Sequence, residues 1–345
     1  MEKRVREDVR RRGFSAAELA DIRHPERFAE AAAYMANLPE RTKYSQEELL
    51  APPLLIERSG SLEMYYAPHN ELGGGRARLV IAGLTPGWQQ MEISLRVLKQ
   101  ALASGCTPEA ACWESKRQAR FAGSMRTGLL DMLRQLGLPE LLRQTVEPKH
   151  QTRHAAQEPY SEPHREACQE SHQEPYQEPY QEPYQEPYQE PYQEPYQEKS
   201  GQASDKPFPA QAITPSLSPM LPEDLLDHPM IHTTSVLPCP VFRDGANYSG
   251  HQPPISRNPF LLETAVRHMT DELQQLEQPP LLVPLGKAVE EVLRALQERG
   301  QLQEEQVLWG FPHPSGANGH RHAQFREAFP ELKERLERFM ESLEN

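Results

Sequence analysis

Four short stretches of the chain are almost continuously apolar, and the segments between them carry apolar residues at helical spacing. Residues 78–84 read Arg-Leu-Val-Ile-Ala-Gly-Leu, and residues 230–237 read Met-Ile-His-Thr-Thr-Ser-Val-Leu. Residues 281–285 read Leu-Leu-Val-Pro-Leu, and residues 306–309 read Gln-Val-Leu-Trp. Runs of this length without alternation suit strands covered on both faces, as in a parallel sheet. Helical periodicity follows over residues 88–102, 124–136, 258–276, 287–299 and 320–344. Strands alternating with helices predict an α/β fold, a three-layer α/β/α arrangement around a mostly parallel sheet. At Thr85-Pro86-Gly87 the first strand breaks and a helix begins. Such a turn aims helix N-terminal amides above the sheet, where they suit an anion such as phosphate.

Ahead of this pattern, residues 1 to about 50 read as amphipathic helices. Ser15-Ala16-Ala17-Glu18 and Ser45-Gln46-Glu47-Glu48 both have the spacing of a capping box. Residues 1–72 are therefore expected to form a helical N-terminal extension packed on the main fold. Arg4, Arg6, Arg10, Arg11 and Arg12 fit a solvated helix face better than a phosphate contact.

Between residues 145 and 222 the pattern disappears. Six copies of Gln-Glu-Pro-Tyr run from Gln173 to Tyr196, after an isolated copy at Gln157 to Tyr160. A proline every fourth residue forbids helix and ladder pairing, and there is no apolar face to bury. The stretch is expected to be a disordered insertion, partly polyproline II, dividing one domain into residues 73–144 and 223–345.

Charge changes the picture once the insertion is set apart. The chain of 345 residues has a formal charge of −13, but residues 147–206 hold 13 acidic and 5 basic residues. The remainder is close to neutral, and a local basic groove is compatible with it. Of the four cysteines, Cys106, Cys112, Cys168 and Cys239, none forms a CxxC pair or a disulfide framework, so a reducing compartment is expected. The charged N-terminus lacks the apolar run of a signal peptide, and no stretch is long enough to span a bilayer. These features predict a cytoplasmic monomer without membrane contact.

Candidate chemistry gathers where the last strand ends. Residues 309–321 read Trp-Gly-Phe-Pro-His-Pro-Ser-Gly-Ala-Asn-Gly-His-Arg. A histidine between two prolines, followed by a serine and two glycines, makes a rigid loop rather than a helix or central strand. In an open parallel sheet the ligand lies beyond the carboxyl ends of the strands. Three strand-end loops converge there, at residues 84–91, 235–250 and 311–321. They contain no nucleophile elbow, and no lysine that would form a Schiff base. Gly286-Lys287 lacks the upstream glycine of a phosphate-binding loop. His232, His313, His320, His322 and Cys239 have no spacing usual for zinc, so neither metal nor cofactor is expected.

Taken together, Gly83-Leu84-Thr85-Pro86-Gly87 and His313-Pro314-Ser315-Gly316 resemble the motif pair of the uracil-DNA glycosylase superfamily. Phe121-Ala122-Gly123 with Gly128-Leu129-Leu130 is similar to that superfamily's aromatic segment. Thr234 to Cys239 resembles its central base-reading strand, and Pro284 to Ala288 its penultimate strand and turn. The likeness covers roughly residues 76–140 and 225–330, in the right order.

The resemblance implies a monofunctional enzyme that flips a base out of double-stranded DNA and hydrolyses its N-glycosidic bond. His313 would donate a hydrogen bond to the departing base as charge develops on it. Phe121 would stack on that base and Ser235 would read it, with Gly87 and Trp88 beside it. Ser315, Gly316, Asn318, His320 and Arg321 would meet the DNA backbone. Thr85 stands where relatives position water with Asn or Asp. Gly87 stands where strict uracil enzymes carry a blocking Tyr, and Ala317 where a bulky wedge is usual. Cys239 falls at an iron–sulfur ligand position whose partner cysteines are missing, so no cluster is implied. Small residues at the pocket positions imply a base larger than uracil. A 5-modified pyrimidine fits, such as the hypermodified (glucosylated hydroxymethyl) cytosine of phage DNA, in an antiviral role. The alternatives are a uracil or mismatch repair glycosylase, a catalytically silent DNA-binding module, and a scaffold built on the tyrosine repeats.

Overall fold

The computed structural model describes residues 13–146 and 224–343. The chain divides into two units, Met1–Cys168 with Pro219–Asn345, and Gln169–Ser218. The second unit lies wholly outside the described residues, as does the disorder expected of the Gln-Glu-Pro-Tyr repeats.

Within the first unit the chain runs α1 (Pro25–Asn37), α2 (Gln46–Leu49), β1 (Leu55–Ser59), β2 (Leu62–Tyr65), β3 (Leu79–Gly83) and α3 (Trp88–Ala103). It continues through α4 (Pro108–Ala119), α5 (Ser124–Gln135), α6 (Leu138–Val146), β4 (Ile231–Ser235), β5 (Val241–Arg243) and β6 (Ala246–Asn247). The last elements are α7 (Pro259–Gln274), β7 (Leu281–Pro284), α8 (Lys287–Glu298) and α9 (Arg321–Ser342).

A parallel sheet of order β4-β3-β7 organises this mixed α/β fold. Val80 pairs with His232 on one side and with Leu282 on the other. All five residues of β3 are buried, as its unbroken apolar run predicts. Alternation then sorts them. Val80 and Ala82 pack with Leu261 and Met269 of α7 and Val289 and Leu293 of α8. Leu79 and Ile81 pack with Leu129 and Leu133 of α5 and Leu332 and Leu336 of α9. Parallel strands need both faces covered, and here helices supply both covers.

Four features differ from the sequence reading. Residues 1–72 are not all helical, because β1 and β2 form a hairpin through Gly60 at φ +61. The hairpin is joined to the second half of the chain, with Leu62 opposite Arg243 and Met64 opposite Val241 in a second sheet, β1-β2-β5-β6. The Ser15–Glu18 reciprocal cap forms, with Glu18 N–H on Ser15 Oγ at 3.2 Å, yet only turns follow it. Helix α4 has no strong apolar stripe; it buries Ala111, Cys112, Ser115 and Ala119, and Thr107 caps it. The strand expected at residues 306–309 shrinks to one parallel bridge, Leu282 with Val307. A 3-10 turn (Glu304–Gln306) occupies its start, and Gly310 at φ +83 turns the chain away at its end.

Among the described residues, no helix is long and apolar enough to cross a membrane. Cys112 and Cys239 are free and buried. Cys106 is disulfide-bonded, whereas the spacing of the cysteines led us to expect no disulfide.

Candidate active site

The parallel strands end in step. Gly83 pairs with Ser235, and the Val236 and Leu237 amides donate to the Gly83 and Leu84 carbonyls at 2.8 and 2.9 Å. On the other side the Leu285 amide donates to Ala82 O at 2.9 Å, and the Gly286 amide reaches Phe311 O at 3.3 Å. This brings the end of β3, the end of β4 and the His313 loop around one cleft of about 1160 Å³. Thr85, Gly87, Phe121, Ser235, His313, Ser315, Ala317 and Asn318 line it.

Gly83 lines the cleft where β3 ends. A Cβ added there would lie 3.5 Å from Phe121 Cε1 and 3.6 Å from Ser235 Oγ, so the aromatic ring and the hydroxyl close on the same point. Phe121 is buried and has φ +53. A bulky residue rarely adopts this left-handed conformation, and such outliers concentrate at functional sites.

The His313 loop is held from three directions. A Cβ at Gly286, itself at φ +95, would come within 2.9 Å of His313 Cβ. A Cβ at Gly128, on α5, would overlap the Pro314 carbonyl oxygen. The Gly316 amide meets Ser124 Oγ at 3.4 Å. Two glycines on two helical segments thus let the loop backbone approach closely. Asn318 Nδ2 donates to His313 O at 3.1 Å and to Gln324 Oε1 at 2.9 Å, closing the loop from within.

His313 is half-buried, and burial pushes its pKa below the ordinary imidazole range. The Ser315 amide donates to its Nδ1 at 3.4 Å. An accepting Nδ1 leaves the proton of the neutral ring on Nε2. The loop therefore presents a neutral histidine with a single fixed donor.

Two of the expected residues are engaged elsewhere. Thr85 Oγ1 donates to Cys239 O at 2.8 Å and accepts from the Val241 amide at 3.1 Å. Its proton is committed to backbone, so it clamps two loops together instead of donating to a catalytic water. The Trp88 amide is taken by Asn247 Oδ1 at 2.7 Å, and its indole is partly buried against the N-terminal core, so Trp88 does not line the cleft. Gly316, His320 and Arg321, expected at the DNA backbone and not in the base pocket, lie outside the cleft lining. The Gly316 amide is on Ser124, the His320 amide donates to Asn318 Oδ1 at 3.2 Å, and Arg321 folds back on Asn318 O at 3.3 Å.

Two residues of the cleft were not anticipated. Asn247 caps α3 from a hairpin 159 residues away, which no local capping pattern signals. Lys287 lines the cleft as the first residue of α8, against the expectation that no lysine would. Its side chain is exposed. Among the described residues no group of three or more His, Cys, Asp or Glu could hold a metal ion.

No family model matches the chain, and no solved structure matches it. A protein of Bacillus subtilis (strain 168), described as "Uncharacterized protein YoxB", is 31% identical over 300 residues. The match covers 86% of this chain and 86% of the relative. With that extent and identity, the chain belongs to the family of YoxB.

Proposed function

We propose that the chain is a DNA glycosylase. It flips a base from the duplex, hydrolyses the N-glycosidic bond and leaves an abasic site, on a three-layer fold of the uracil-DNA glycosylase type. The observation that carries this reading is His313, a neutral imidazole whose only proton is on Nε2, in one cleft with Phe121 and Ser235, which meet near Gly83.

The chemistry follows from that arrangement. Cleavage of the C1′–N bond leaves an oxocarbenium-like sugar, and negative charge moves onto the base carbonyl oxygen. A preorganised donor in a half-buried site stabilises that charge more than water does, because it needs no reorientation as the charge appears. Neutral histidine suits this task, since the donor bond strengthens with the charge while the ring keeps its proton. The electrons of the broken bond leave with the base, and water then adds to the sugar. A transition state with so much sugar cation character places little demand on a strong general base. That is consistent with a Thr85 hydroxyl already committed to Cys239 O.

Size and polarity favour a 5-modified pyrimidine, such as glucosylated hydroxymethylcytosine in phage DNA, and hence an antiviral role. Gly87 and Ala317 add almost no side-chain volume to a cleft of about 1160 Å³. Mass spectrometry of bases released from duplexes of differing modification tests the reading. We expect the 5-modified cytosine to be released in preference to uracil. Release of uracil alone would make the chain a repair glycosylase. The committed Thr85 hydroxyl also supports a second reading, a DNA-binding module without catalysis. Under that reading the duplex binds and no base appears.

A further inference from the structure

We infer that Arg120, Asp224 and Asp227 form a clamp whose task is to hold Phe121 in its left-handed conformation, and so to position the base-stacking ring; the consequence for catalysis rests on the glycosylase reading. Phe121 lies in the short turn between α4 and α5, with Gly123 beyond it at φ +87. Nothing in an aromatic side chain favours φ +53, so surrounding structure must hold the residue there.

Its immediate neighbour supplies the hold. Arg120 is 4% exposed. Its Nη1 donates to Leu226 O at 2.9 Å, and its Nη2 reaches Asp224 Oδ2 at 2.8 Å and also Asp227 Oδ1. Arg126, in the first turn of α5, bonds the same Asp224 Oδ2. Its Nη1 donates to Arg117 O at 3.1 Å and to Arg120 O at 3.2 Å. The turn is therefore tied at its entry, at its own carbonyl and at its exit, and Asp224 is the shared knot. Asp224 in turn accepts the Leu226 amide on Oδ1 at 3.1 Å, which fixes the knuckle that carries Asp227. Burial alone would favour the protonated acid, but Arg120 and Arg126 outweigh it and hold the Asp224 carboxyl below its usual range.

Two features separate a positioning device from a generic ion pair. The cations flank one strained residue in sequence, and both acids come from a single short turn about a hundred residues further along the chain. Directed in this way, the clamp controls where one ring sits, and Phe121 Cε1 is the atom that meets the Gly83 and Ser235 end of the cleft.

The test labels the ten phenylalanines with 4-fluorophenylalanine and assigns the Phe121 fluorine signal with Phe121→Leu. Asp224→Asn and Arg120→Lys, in the full chain, should shift or broaden that signal and leave most others in place. Single-turnover base release should fall about 10- to 100-fold in the same variants, with little change in duplex affinity, as expected when a reacting group is misplaced by an ångström or less. Asp227→Asn, which leaves Asp224 bridging both arginines, should give a smaller version of the same shift. A Phe121 signal that stays put in all three variants overturns the clamp. So does a collapse of every fluorine signal together, which would make these residues general supports of the fold. If the Phe121 signal moves but the wild type releases no base, the clamp stands and the glycosylase reading falls.

Discussion

The Ser315 amide points at His313 Nδ1 from 3.4 Å, and this one contact decides which nitrogen of the ring carries the proton. With Nδ1 accepting, Nε2 is the donor over the whole range in which the ring is neutral. Burial lowers the pKa of His313, so that range extends below the ordinary imidazole value of about 6.5. Base release should therefore be nearly flat from about pH 6.5 upward through neutrality. His313→Ala should lower it by roughly 100-fold or more, the cost of removing one preorganised donor, and should leave duplex binding nearly intact. Rate profiles from pH 5 to 9 and a binding titration check both. A rate that titrates with a midpoint between pH 7 and 8 would contradict the neutral-donor role.

Gly128→Ala offers a test with an unusual sign. Inside a helix this change ordinarily stabilises by about 1 kcal/mol. At position 128 the new methyl group would overlap the Pro314 carbonyl, so α5 or the His313 loop must move. The variant should melt at a lower temperature than the wild type and lose base release by about 100-fold. A thermal melt beside a single-turnover assay reads both.

Thr85 separates a clamp from a catalytic hydroxyl. Thr85→Val leaves the Val241 amide and the Cys239 carbonyl without their partner. Stability should drop by ~2 kcal/mol, whereas Thr85→Ser should keep both bonds and most of the stability. Chemical denaturation measures this. If Thr85→Val keeps wild-type stability and loses only activity, the hydroxyl serves the reaction after all.

Acid should unfold the protein partly through His69. This ring is 4% exposed, its Nδ1 meets Ser94 Oγ at 3.3 Å, and its Nε2 has no partner. Burial, helped by the nearby Lys116 charge, lowers its pKa to about 3. The folded state thus binds fewer protons than the unfolded state, whose histidine titrates near 6.5. That contribution is fully present above about pH 6.5 and is lost progressively as pH falls toward 3. His69→Gln should weaken the fold at pH 7, and its loss of stability between pH 7 and pH 5 should be smaller than the wild type's by about 2 kcal/mol. Urea unfolding at the two pH values measures the difference.

The parts of the fold legible in the sequence are those whose signal is local. Leu79–Gly83 is apolar at every position because both faces are covered, and the Ser45–Glu48 box closes as its spacing predicts. The hairpin at residues 55–65 was not legible. It mixes Glu57, Arg58 and Glu63 with apolar residues, and its partner β5 is far along the chain. Helix α4 escaped notice because it buries small and polar side chains. In the site, strand-end logic places Ser235, whereas Phe121 sits in a turn between two helices and was singled out only by the motif resemblance. The commitment of Thr85 and of the Trp88 amide was not legible, because a backbone carbonyl and a distant asparagine leave no mark in the local pattern.

The way the two sheets are shared has its own consequence. β3 comes from the first half of the chain and lies between β4 and β7 from the second, and β2 pairs with β5 across the same divide. Neither half owns a complete sheet. A chain severed between residues 147 and 223 should behave as two complementary fragments, each aggregation-prone alone through its unpaired strand edges. Mixed together, they should reassemble into one cleft, as a split reporter does.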